Sequence, residues 1–160
     1  MSIDFHTLPD NSRIWIYQAA RSFTPEEIRS ISKEIQEFLE NWKAHGVSLK
    51  AAFEIKYKRF IIIGLDQSHQ IATGCSIDSS VTFIKKLETK YKVNLLDKLN
   101  VSYKQGDFIA YKSIKEFIKM AKDKAVTKNT IVFNNLVQTK AEFLDQWEVT
   151  ASQSWHKRFF

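Results

Sequence analysis

Apolar positions at alternating spacings of three and four recur over residues 28–42, as Ile28, Ile31, Ile35, Phe38, Leu39 and Trp42. That period predicts an amphipathic helix beginning at Pro25 and running to about His45, with Gly46 as its stop. Its start is marked by Phe23-Thr24-Pro25-Glu26-Glu27. There Thr24 is the N-cap, Pro25 occupies the first helical position, Glu27 completes a capping box, and Phe23 is placed to staple against Ile28. A second helix over about residues 78–91 follows from Ile77, Val81, Ile84 and Tyr91 on one face. The pairs Ser113/Glu116 and Thr139/Glu142 mark two further helix starts, before Phe117-Ile118 and Phe143-Leu144.

The strand signals have a different period. Residues 13–19 carry Ile14, Trp15, Ile16 and Tyr17, and residues 51–58 alternate Phe53, Ile55 and Tyr57 with Glu54, Lys56 and Lys58. Residues 59–65 hold Phe60, Ile61, Ile62 and Ile63 without a polar break, as a central strand covered on both faces would. This run is expected to share one core with the helix positions Ile31, Ile35, Phe38, Ile77, Val81 and Ile84. A hairpin turning at residues 56–59, a second around Gly106 and a short strand at 130–133 complete the set. Hairpins interrupted by helices predict an α+β fold, a single domain over residues 1–160 with a mostly antiparallel sheet and helices on one face. Residues 1–13 form an N-terminal arm broken by Pro9, and residues 148–160 form an aromatic and basic tail.

Length and composition agree with one domain. The 160 residues, 44% hydrophobic and 26% charged, suffice for a core without a metal or disulfide. No stretch approaches 18 uncharged apolar residues, the first ten residues hold no signal-peptide core, and there is one cysteine. The expectation is a soluble cytoplasmic protein with no membrane insertion. The net charge of +6 is spread along the helices, so nucleic-acid contact is expected to be weak or absent and dependent on salt. Its best surface is the hairpin carrying Lys56, Tyr57, Lys58, Arg59 and Phe60.

The four glycines, Gly46, Gly64, Gly74 and Gly106, are too far apart for a P-loop or a dinucleotide-binding turn. ATPase activity is therefore not expected, no cofactor is implied, and four scattered histidines give no metal site. One segment gathers chemistry. Residues 72–80 lead into the second helix through Gly74, Cys75, Ser76, Asp78, Ser79 and Ser80. Free N–H groups at a helix start hold a phosphate or carboxylate, with the serine hydroxyls adding contacts and Asp78 competing for the donors. Alternatively Cys75 acts as a thiol nucleophile with His69 as its base, making the protein a thiol-dependent enzyme. The plainest reading has Asp78 and the serines capping the helix and Cys75 as a small buried hydrophobe. The best functional expectation is a non-catalytic binding or interaction domain with a small anionic ligand at residues 74–80. The Trp155 to Phe160 tail docks on the domain or on a protein partner.

Four stretches together carry a family likeness: residues 7–13 with Trp15-Ile16-Tyr17, residues 72–81, residues 131–136 and Ser154-Trp155-His156. In these the chain resembles a family of short bacterial proteins of unknown function, often labelled ABC transporter ATPases. The label implies a P-loop that this sequence lacks, and the resemblance brings no catalytic residue with it.

Overall fold

A computed structural model describes all of residues 1–160. Strand β1 (Arg13–Gln18) is followed by helix α1 (Pro25–Glu40), and the small hairpin β2 (Lys43–Ala44) and β3 (Val47–Ser48) leads to β4 (Ala51–Lys56) and β5 (Phe60–Leu65). Helix α2 (Gly74–Tyr91) comes next, then β6 (Val101–Gln105), β7 (Phe108–Lys112), α3 (Ile114–Lys122), β8 (Ile131–Phe133), α4 (Lys140–Gln146) and β9 (Glu148–Thr150). The strands pair antiparallel in the orders β1-β5-β4, β2-β3 and β7-β6-β8-β9.

The central strand β5 explains the arrangement. Side chains alternate across a strand, so the run Phe60 to Ile63 divides between two cores rather than entering one. Ile61, Ile63 and Leu65 join Trp15, Tyr17, Ile31, Ile35, Leu39, Ile84 and Leu87 beneath α1 and α2. Phe60 and Ile62 join Ile14, Ile16, Phe133, Phe143 and Trp147 on the opposite face, which the N-terminal arm closes with Phe5 and Leu8. The long helices thus share one face of this sheet, while α4 lies on the other. A third core, with Val101, Tyr103, Phe117 and Val132, lies between the four-stranded sheet and α3. All three cores draw on strands of one connected assembly, so the chain is a single α+β domain.

Gly64 lets the arm come close. A methyl group there would overlap Leu8 and press on Ile14. The arm is further held by buried Lys140, whose Nζ donates to the carbonyls of His6 (3.1 Å) and Leu8 (2.6 Å).

The boxes at Thr24/Glu27, Ser113/Glu116 and Thr139/Glu142 all form. Helix α1 ends earlier than its period suggests. It stops at Glu40, and Gly46 belongs instead to the β2–β3 turn, where His45 and Gly46 take φ of 51° and 76°. The cause is Trp42, which leaves the helix, packs edge-on against Trp15 with ring centres 6.0 Å apart, and donates Nε1–H to the Ser76 carbonyl at 2.9 Å. In α2 the buried stripe is Ser76, Ser80, Ile84 and Leu87, with Ile77 and Tyr91 half-buried; Val81 lies outside the core.

The tail docks on the domain, one of the two outcomes expected for it. It contributes β9 and two 3-10 turns, and Phe159 and Phe160 pack edge-on against Phe117 with ring centres 6.0 Å away. His156 is fully buried beside Trp155, its Nδ1 sharing a hydrogen bond of 2.6 Å with Ser154 Oγ. Burial first, and the Arg158 charge second, push its pKa down to about 4. The unfolded chain takes up this proton near pH 6.5 and the folded chain only near 4, so the contribution is complete above pH 6.5 and is lost as the pH falls through that window. Urea unfolding between pH 7 and pH 4 should record a loss on the order of 3 kcal/mol from this residue. In His156→Gln that component of the pH dependence should disappear; a wild-type profile with the same slope as the variant would contradict the assignment.

Candidate functional site

Helix α2 is not capped by Asp78 or by the serines after it. The N-cap is Thr73, which accepts from Ser76 N at 3.2 Å, while Ser76 Oγ accepts from Thr73 N at 2.8 Å. Ile77 N bonds back to the Thr73 carbonyl at 2.9 Å. These bonds leave the N–H groups of Gly74 and Cys75 with no acceptor in the chain. They are the first donors of an 18-residue helix, where its dipole is positive.

Both residues line a cavity of about 520 Å³ together with Thr73, Ser76, Ser79, Lys43 and His45. A second cavity of about 580 Å³ runs on from it between α1 and α2, walled by Glu34, Glu37, Phe38, Asn41, Trp42 and Phe83. Lys43 and Ser79 line both, so the two form one groove. Its apolar wall is ordered by stacking: the Phe38 and Phe83 rings lie 4.5 Å apart and 5° from parallel, with Trp42 5.6 Å from Phe38. At the far end Glu34 accepts from Lys90 Nζ at 3.0 Å and from the Tyr91 hydroxyl.

The residues singled out from the sequence separate here. Gly74, Cys75, Ser76 and Ser79 line the groove, whereas Asp78 and Ser80 do not. Asp78 is exposed on α2, and Ser80 is buried with its hydroxyl donating to the Ile77 carbonyl at 2.6 Å. Ser79 likewise donates to Ser76 O at 2.8 Å. Cys75, at the second helical position, is exposed, not buried. The histidine that shares its cavity is His45, while His69 lies exposed on the loop before α2 and lines neither cavity. No three metal-ligating side chains come together.

On the basic hairpin, Phe60 is buried and Tyr57 packs against Phe60, Phe133 and Trp147 while its hydroxyl bonds Glu148. Lys104 covers the Tyr57 ring at 5.1 Å. No helix is long and apolar enough to cross a membrane. The glycines serve turns, a close packing contact and a helix start, none of them a phosphate-wrapping loop.

Sequence reasoning found the α2 end of the groove and missed the α1 wall, Lys43 and His45. The signal available was the i, i+4 pair Phe38 and Trp42, whose rings exceed what one core stripe requires. No protein-family model matches the chain, and no curated protein or solved structure matches it.

Proposed function

We propose that the chain is a non-catalytic binding domain whose ligand is a small molecule with an apolar body and an anionic head. The apolar body lies against the wall formed by Phe38, Trp42 and Phe83, and a carboxylate or phosphate meets the N–H groups of Gly74 and Cys75 with Lys43 beside it. One observation carries this reading: an aromatic cleft and two free helix-start donors lie end to end in a single groove. Each half has a volume within the usual range for small-molecule sites, roughly 300–1,000 Å³, and the combination of apolar wall and few polar donors is their usual make-up. The dipole at the start of α2 favours the anionic end there, and Glu34 and Glu37 disfavour it at the other.

A thermal-shift panel of aliphatic and aromatic carboxylates and phosphate esters tests the reading. A ligand at a hundredfold excess over its Kd adds about 2.7 kcal/mol, which raises Tm by about 5 °C or more for a chain of this size. The gain should disappear in Ser79→Trp, which fills the point where the halves join, and weaken in Lys43→Glu. No response across the panel at millimolar concentration would refute it.

Thiol chemistry has one observation of its own, the exposure of Cys75 in the cavity that His45 lines. The two readings part on alkylation. In a binding site Cys75 reacts with iodoacetamide no faster than an ordinary exposed thiol, and a bound ligand slows it; an enzyme nucleophile reacts faster.

A further inference from the structure

Trp15 and Tyr17 stand two residues apart on the same face of β1, about 7 Å from one another along the strand. Each carries a cation. The Arg13 guanidinium carbon lies 5.1 Å from the centre of the Trp15 ring, and Lys98 Nζ lies 5.2 Å from that of Tyr17. Both cations are half-buried. Neither belongs to an ion pair, in contrast to Arg21 with Glu27, Lys50 with Asp66, Lys90 with Glu34 and Lys104 with Glu148.

Their polar atoms are also unmatched. Arg13 Nε is buried without an acceptor. The carboxylate beside Lys98 in sequence, Asp97, turns away to accept from Leu99 N, Asn100 N and Asn100 Nδ2 at 3.0 to 3.2 Å. Burial and the Arg13 charge push the Lys98 ammonium below its ordinary pKa. Burial pushes Tyr17 up to about 12, while the Ser80 hydroxyl and the Arg13 charge pull the other way. Ring faces offset part of the cost of taking two like charges out of water, but they do nothing about the repulsion between them.

We propose that Arg13 and Lys98 form a second binding site, distinct from the α1/α2 groove, for the oxyanion of a phosphate group. A planar guanidinium fork and an ammonium point charge are the two side chains best suited to phosphate oxygens. Phosphate also matches the site in charge. A dianion neutralises both cations, where a carboxylate neutralises one. Neither residue lines the groove, so the site does not depend on the groove having a ligand.

The test uses the full chain in the Ser79→Trp/Lys43→Glu background, in which the groove is blocked at its junction and weakened at its anionic end, with thermal melts at pH 7 in sodium phosphate and in sodium chloride of equal ionic strength. Phosphate at a hundredfold excess over its Kd should raise Tm by about 5 °C relative to chloride. Adding Lys98→Gln should abolish that difference. In chloride the Lys98→Gln protein should melt at or above the temperature of its parent, because the substitution removes an unmatched charge. The Lys98 side chain makes no ion pair, so this variant folds even if Arg13→Gln, within β1, does not. Glycerol phosphate distinguishes the source of the group: a rise equal to that of inorganic phosphate extends the site to phosphate esters, and a rise with inorganic phosphate alone confines it to the free ion. Equal melting in phosphate and chloride, or a phosphate response undiminished by Lys98→Gln, overturns the proposal.

Discussion

Trp147→Ala should cost about 4 kcal/mol of unfolding free energy, read from urea denaturation as a lower midpoint. The indole is 4% exposed and is the hub of an aromatic cluster, with ring centres 4.9 Å from Phe133, 4.9 Å from Phe143 and 5.0 Å from Phe60. Removing it opens a cavity among rings held by β5, β8 and α4, none of which can close it alone. It also deprives Asn135 Oδ1 of the donor it receives from Trp147 Nε1 at 2.9 Å. Trp147→Phe separates the two effects, since it retains most of the packing and loses the hydrogen bond; its cost should be about 1–2 kcal/mol. A Trp147→Ala protein within about 1 kcal/mol of wild type would mean that the two sheets are not joined through this cluster.

Gln18→Leu should be of similar severity, about 3–5 kcal/mol, although the side chains have nearly the same volume. Gln18 is 1% exposed, and its amide joins separate parts of the fold. Nε2 donates to the carbonyls of Asp97 (3.0 Å) and Asn100 (2.6 Å). Oε1 accepts from Ser102 Oγ (2.6 Å) and Asn135 Nδ2 (2.9 Å). Leucine keeps the shape and leaves four polar groups without this partner, the buried Ser102 Oγ and Asn135 Nδ2 and the part-buried carbonyls of Asp97 and Asn100; each buried one costs more than the bond it contributed. Because Asn135 also binds Trp147, the double variant Gln18→Leu/Trp147→Ala should cost less than the sum of the two. Strict additivity would contradict a shared network.

How far the sequence could be read depended on whether a feature was local. Capping boxes close within four residues, and those at Thr24, Ser113 and Thr139 stand where the spacing puts them. Thr73 escaped notice because its partner at the third helical position is Ser76, not the glutamate or glutamine of the usual box. The apolar run in β5 announced a central strand, but a run that is apolar throughout cannot say which residues face which core, and Phe60 and Ile62 went to the side opposite Ile61 and Ile63. The end of α1 was obscured because Trp42 continues the helical period of Phe38 while its ring is buried from outside the helix. Candidate sites were legible in proportion to their contiguity. Gly74 and Cys75 adjoin in sequence, whereas Phe38 meets Phe83, and Arg13 and Lys98 come over two rings of the same strand, only after the sheet has formed.

In the proposed site the N–H groups of Gly74 and Cys75 are the anion-binding end of a groove walled by Phe38 and Phe83. Amide chemical shifts report on those two groups directly. On titration of the protein with the best ligand of the thermal-shift panel, the resonances of Gly74 and Cys75 should move furthest and saturate with one dissociation constant. The Trp42 indole N–H should move on the same curve, because its ring lines the cleft while its donor holds Ser76 O. Saturating shifts elsewhere, with Gly74 and Cys75 unmoved, would contradict anion binding at the start of α2.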